Sequence, residues 1–129
     1  MRMTAITISL ILCLTVPVLA QDELQITATP SAHHVTNKAA LIRWKTNVPA
    51  SGLVRYGSDF NKLDQVAAEI PQNGKLHKVR LYNLRSRTIH YYQVVSSVNG
   101  INVASYINEF RTSGSFVGQY TEPSVPLLR

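Results

Sequence analysis

The histidines are the first residues in this sequence whose side chains could carry chemistry. The chain of 129 residues has 4 of them, and two are adjacent, at His33 and His34. Neighbouring residues on a β-strand point to opposite faces, so this pair cannot easily hold one metal ion. His77 and His90 are predicted to lie at opposite ends of the fold, whereas a zinc site needs three or four converging ligands. The pattern therefore predicts solvated or capping histidines, and neither a metal nor another cofactor.

The other residue types that catalyse reactions form no recognisable constellation either. Asp and Glu together number only 7 and are separated along the chain, and the single cysteine is Cys13, inside an apolar N-terminal run. Serine is frequent, but no Gly-x-Ser-x-Gly nucleophile elbow occurs. We therefore expect a protein without enzymatic activity.

The N-terminus has the pattern of a secretory signal peptide. Arg2 precedes an apolar run over residues 5–19, and small residues close that run before polar residues begin. The run is shorter than the ~20 residues that span a bilayer. We expect residues 1–20 to be a signal peptide cut after Ala20, which predicts a secreted or periplasmic protein with no integral membrane segment after cleavage.

Beyond the predicted signal peptide the chain contains no Cys and no Met. No disulfide is available, so an apolar core must hold the fold alone. Loss of Arg2 with the signal peptide would lower the formal net charge from +6 to +5. The basic residues are scattered rather than clustered in a run, which argues against a nucleic-acid partner.

The elements that would position these residues are predicted to be β-strands. Ala40, Ile42 and Trp44 alternate with Arg43 and Lys45, which is typical of a strand with one buried face. A turn is predicted over residues 47–52, followed by a second strand that ends at residue 57. Further strands are expected near residues 24–29, 65–69, 76–84, 88–98 and 101–112.

The last two of these strands form the clearest hairpin, because Asn99-Gly100 suits a two-residue turn. This register places Tyr92 opposite Ile107 across the hairpin. It puts Phe110 on the other face of the sheet from Ile107, although both Ile107 and Phe110 should prefer the core. We therefore expect a β-bulge between Ile107 and Phe110.

Several motifs then identify a family resemblance. They are Ala40-x-Ile42-x-Trp44, Thr46-Asn47-x-Pro49-Ala50, Val54-x-Tyr56-Gly57, His77-x-Val79-x-Leu81-x-x-Leu84-x-x-x-Thr88 and Phe110-x-Thr112. Together they resemble a fibronectin type III domain, most nearly the one that precedes the catalytic domain of purple acid phosphatases and of related bacterial secreted proteins. The resemblance covers residues 24–112 and implies an all-β, seven-stranded antiparallel immunoglobulin-like β-sandwich. The domain is assigned to residues 21–112, with a Gly- and Pro-punctuated tail over residues 113–129.

The resemblance extends to the accessory domain and not to phosphatase activity, because no Gly-Asn-His metal motif follows. It implies structural roles for Trp44, Tyr56, Leu84 and Tyr92. The family usually has a tyrosine at the position of His90, where the hydroxyl ties a corner to the backbone. Either His90 makes a similar hydrogen bond, or the strand shifts by one residue and Tyr91 does so.

Two surfaces are candidate binding sites. The outward residues Arg43, Lys45, Lys78 and Arg80 should share a face, with Tyr82 nearby, and could dock an acidic protein, an anionic polysaccharide or a lipid headgroup surface. The alternative is a charged face that only keeps the sheet soluble.

The second surface consists of Tyr91, Gln93 and Tyr106, which could stack on sugars or contact a protein. Plain cross-strand pairing is the alternative. The tail is too apolar for a simple linker, and it could cover an edge strand of its own domain or of a neighbour, or remain disordered.

These patterns favour a non-catalytic protein-interaction or structural module of an extracytoplasmic assembly, with an unidentified and acidic protein as partner. A carbohydrate-binding accessory module is one alternative. A non-catalytic partner subunit of a secreted enzyme is the other.

Overall fold

The computed structural model describes residues 22–70 and 73–115. The predicted signal peptide and residues 116–129 of the predicted tail lie outside the described residues. All the strands pair antiparallel. They are β1 Ile26–His33, β2 Ala40–Gly57, β3 Gln65–Ala68, β4 Gly74–Leu81, β5 Ile89–Val98, β6 Ile101–Ala104 and β7 Asn108–Arg111.

The strands form two sheets that share β2. In the first sheet, β1 and β4 pair with the first half of β2. In the second sheet, β3 and β5 pair with the second half of β2, and β6 and β7 pair with β5. The prediction of an all-β immunoglobulin-like sandwich of fibronectin type III kind is confirmed.

The prediction that a turn over residues 47–52 separates two strands is wrong, because β2 continues through these residues. Lys45 lies opposite Leu76 and Ala50 lies opposite Gly74, so extra residues of β2 bulge out between these pairs. A bulge bends a strand and increases its twist. The sequence Asn47–Pro49 therefore redirects one strand from the first sheet into the second instead of ending it.

The predicted bulge in the last hairpin exists, but its predicted place is wrong. Val98 lies opposite Ile101 as expected, whereas Asn108 and not Ile107 lies opposite Tyr92. The extra residue therefore lies between Ala104 and Asn108 and separates β6 from β7. Ser105 makes this possible, because its hydroxyl accepts a hydrogen bond from the Val94 amide at 3.1 Å.

Because the bulge comes early, Phe110 faces the core opposite His90. The residues assigned structural roles all lie in that core: Trp44, Tyr56, Leu84, His90 and Tyr92. Burial raises the pKa values of Tyr56 and Tyr92, because a phenolate loses hydration there. The Tyr92 hydroxyl donates to the Pro30 carbonyl at 3.2 Å.

His90 holds the corner position. Its Nε2 lies 3.0 Å from the Arg85 carbonyl oxygen and donates to it. Its ring stacks on Phe110, with ring centroids 5.5 Å apart. Tyr91 points to the outer face of the second sheet, so the alternative with Tyr91 at the corner is wrong.

Candidate binding surfaces

The strand register places the four predicted cations on the outer face of the first sheet. Arg43 lies directly opposite Lys78 across β2 and β4, while Arg80 and Lys45 flank this pair in the rows on either side. We call these four residues the basic face. Like charges directly opposite each other destabilise a sheet. The basic face is therefore a local cost to the fold.

Within residues 22–70 and 73–115, none of these four cations lies within ion-pair distance of a carboxylate. The Glu69 carboxylate contacts the backbone amide of Lys78 instead, at 3.0 Å. On the other side of β2, Ser31 lies opposite Arg43, and the neighbouring β1 residue on this face is His33. Tyr82 follows β4 and is 61% exposed. The arrangement is suited to attract an anion, and it supplies an exposed aromatic ring at its end.

The structure divides the predicted tyrosine surface into two parts. Gln93 and Tyr106 line an open groove of about 740 Å³ between β1 and β6. The side-chain amide of Gln93 donates to the Ser105 carbonyl at 2.9 Å. Tyr91 packs against Phe60 and lines the adjoining groove, which shares Pro30 and Asn108 with the first. The three residues therefore line two neighbouring grooves.

A buried polar cluster was not predicted from the sequence. His77 is fully buried, with its Nδ1 2.7 Å from Glu69 Oε2 and its Nε2 2.9 Å from Thr46 Oγ1. The ring stacks on Trp44 at 4.9 Å between centroids, and the Trp44 indole donates to the Ser96 hydroxyl at 2.9 Å. We call Thr46, Glu69 and His77 the buried triad.

The buried triad has the residue types of a hydroxyl–imidazole–carboxylate relay, which activates nucleophiles in hydrolases. Here the hydroxyl cannot meet a substrate, because Thr46 is only 3% exposed and donates to the Val48 carbonyl at 2.8 Å. The other Glu69 oxygen accepts from the Lys78 amide at 3.0 Å. The triad therefore ties β2, the end of β3 and β4 together.

The prediction of solvated or capping histidines is consequently wrong for His77. The sequence signal for the burial of His77 is its spacing. His77, Val79 and Leu81 alternate with outward residues, so they share the inward face of the strand. His33 is exposed and contacts the Ser31 hydroxyl at 2.8 Å.

In the described part of the chain, no three His, Cys, Asp or Glu side chains converge as metal ligands would. No helix there is long and apolar enough to cross a membrane.

Comparison with known proteins supports the fold and nothing finer. No protein-family model matches the chain, and no curated protein matches its sequence. A solved myokine structure is similar with a TM-score of 0.57 at 16% identity, covering 67% of this chain and 95% of that one. A fibronectin type III domain from the human KIAA0970 protein gives 0.53 at 15% identity, covering 77% of each chain.

A third similar structure is the sensor domain, in its short form, of the anti-sigma factor RsgI4 from Pseudobacteroides cellulosolvens. It gives a TM-score of 0.51 at 15% identity and covers 70% of this chain and 94% of that one. At such low identity the likeness concerns the backbone. It defines the chain as a fibronectin type III-like sandwich, a fold that hosts many unrelated functions.

Proposed function

We propose that this protein is a non-catalytic binding module of an extracytoplasmic assembly, and that its basic face docks an acidic protein partner. The observation that carries the proposal is the pairing of Arg43 with Lys78 between two further cations, none of which forms an ion pair within the described residues. Repulsion between these like charges lowers the stability of the free domain, and the binding of an anionic partner would offset that repulsion.

The extracytoplasmic location rests on the signal-peptide pattern of residues 1–20. Absence of catalysis is supported by the burial of the triad and by the type of fold. The phosphatase-like resemblance favours a partner subunit of a secreted enzyme as one form that such an assembly could take. The apolar tail is predicted to form a second contact, either with its own domain or with a neighbouring one.

The test is capture of partners from an extracytoplasmic extract, with two variants of equal charge. One variant changes the basic face to Glu at Arg43, Lys45, Lys78 and Arg80. The matched control changes four exposed cations elsewhere to Glu, at Lys38, Arg55, Lys62 and Arg111.

We expect a stoichiometric partner to bind the wild type and the control, to be lost from the basic-face variant, and to dissociate as salt is raised. Equal binding by both variants, with folding intact, would refute the basic face as the docking site. In that case deletion of residues 116–129 would test the tail.

A carbohydrate-binding role is the second candidate, favoured by the groove that Gln93 and Tyr106 line. Exposed aromatic rings beside amides suit the faces and hydroxyls of sugars. Pull-down with insoluble polysaccharides tests it, with Tyr106→Ala as the binding variant and Tyr82→Ala as the matched exposed-tyrosine control. Failure of the wild type to be retained by any glycan would exclude this role.

A further inference from the structure

A second groove lies on the second sheet, away from the basic face. It has a volume of about 490 Å³. Its walls include three aromatic residues, one carboxylate and one carboxamide, and no Lys or Arg. They are contributed by Pro30, Phe60, Tyr91, Tyr92, Ile107, Asn108 and Glu109.

The turn after β2 builds one wall of this groove. The Asp59 carboxylate accepts from the Asn61 amide at 2.9 Å, and the Asp59 carbonyl accepts from the Lys62 amide at 3.0 Å. The turn lies so close over Gly57 that a Cβ there would be 2.6 Å from the Lys62 carbonyl oxygen. The backbone on either side of Phe60 is therefore fixed by local hydrogen bonds, with no contribution needed from a ligand.

Two of these rings, those of Phe60 and Tyr91, form a corner. Phe60 meets Tyr91 at right angles, with ring centroids 5.6 Å apart and an interplanar angle of 88°. Phe60 remains 52% exposed. Such a half-exposed ring keeps much of its apolar and π surface available for contact.

The polar groups of the groove are oriented to accept. Glu109 lies directly opposite Tyr91 in the strand register, and within the described residues it forms no ion pair. The Asn108 amide nitrogen donates to the Tyr106 carbonyl at 3.1 Å, which leaves its side-chain oxygen as an acceptor. A carboxylate, a free acceptor and aromatic rings form a negative site on a protein whose net charge is +6.

We propose that this groove binds a cationic side chain of a protein partner, and specifically the guanidinium group of an arginine. A guanidinium is planar, so it stacks on an aromatic ring while its N–H groups donate to a carboxylate. The ammonium group of lysine has no such plane and would gain less. The site is independent of the basic face, since it lies on the other sheet and selects the opposite charge.

The experiment is an NMR titration of the full chain with the peptide Ac-Gly-Arg-Gly-NH2. The matched ligand carries citrulline, which has the shape of arginine without its charge, and a third peptide carries lysine. We expect saturable amide shifts around Phe60, Tyr91 and Glu109 with a Kd on the order of millimolar. Citrulline should bind at least about fivefold more weakly, since each cation contact is worth a few-fold in affinity.

Two variants and two matched controls locate the site. Glu109→Gln removes the charge and Phe60→Ala removes one ring, and both positions are exposed, so the fold should survive. Each should weaken arginine binding roughly two- to fivefold. Glu23→Gln and Tyr106→Ala remove an exposed carboxylate and an exposed ring outside the groove, and should leave the Kd unchanged.

Three results would overturn the proposal. They are equal affinity for the citrulline and arginine peptides, tighter binding of the lysine peptide, and an equal loss of affinity in Glu23→Gln, which would indicate general attraction by charge. None of them bears on the basic face, whose charge-reversal test is separate.

Discussion

Replacement of Glu69 by alanine tests the buried triad most directly. The change leaves the Nδ1 of His77 and the Lys78 amide without the acceptors that they have at 2.7 Å and 3.0 Å. Two lost hydrogen bonds to a charged group, at about 1.5–3 kcal/mol each, should cost about 3–6 kcal/mol.

That cost is a large part of the free energy of unfolding, which is about 5–15 kcal/mol for a typical domain. Urea unfolding at pH 7 measures it, followed by the fluorescence of Trp44. This residue is the only tryptophan in the chain, and it stacks on His77 within the cluster. Glu69→Gln keeps the shape and one acceptor, so it should cost less than the alanine variant.

Glu109→Ala is the control, because an exposed carboxylate without an ion pair should change the free energy of unfolding by less than about 0.5 kcal/mol. If Glu69→Ala cost under about 1 kcal/mol with an unchanged urea dependence, the triad would not hold β3 and β4 to β2, and the reasoning would be wrong.

Three further predictions concern the core and the basic face. Gly52→Ala would place a Cβ 2.6 Å from an indole carbon of the buried tryptophan, so it should lower the free energy of unfolding by about 1–3 kcal/mol, measured by urea unfolding. Lys78→Glu removes the repulsion with Arg43, so it should stabilise the domain by about 0.2–1 kcal/mol. The same variant should weaken partner capture. A loss of stability would contradict the repulsion argument. Burial raises the pKa of Tyr92 and of Tyr56, so the folded state keeps these protons longer than the unfolded state, and the free energy of unfolding should fall as pH rises above about 10. Tyr92→Phe should make that fall shallower in urea unfolding between about pH 8 and pH 11, and an unchanged slope would argue against it.

The sequence predicted the features that depend on local alternation. Strand-like alternation around Trp44 and the Asn99-Gly100 turn gave the sandwich and the hairpin, because period-2 burial and turn chemistry are local properties. The same alternation placed Arg43 and Lys78 on one outer face. The resemblance to fibronectin type III domains predicted that the strands of these two residues pair with each other.

The features that were missed depend on contacts between distant residues. Continuity of β2 through Pro49 depends on the bulge opposite Gly74, and the place of the second bulge depends on the Ser105 hydroxyl. Both positions contain residues that usually end strands or turn the chain, and only the partner strand decides between a turn and a bulge.

Polar residues in the core were also beyond local patterns. A glutamate is expected at the surface from its residue type alone. Glu69 is buried here because His77 and a backbone amide are hydrogen-bond partners of its carboxylate. The groove beside Tyr91 depends on a turn that folds back over Gly57. Hydrophobic periodicity contains no information about either arrangement.

The continuous strand β2 has a consequence for how the domain folds. It forms hydrogen-bonded ladders with β1, β3, β4 and β5, so both layers contain part of the same strand. In a sandwich whose layers share no strand, one layer could form first and serve as a template for the other. Here most pairings join residues far apart in sequence, which is typical of slow, nucleation-limited folding. We therefore expect a folding nucleus that orders β2 to begin both layers at once. Local opening of either layer would remove hydrogen-bond partners from the same strand, so we expect the domain to open as one cooperative unit.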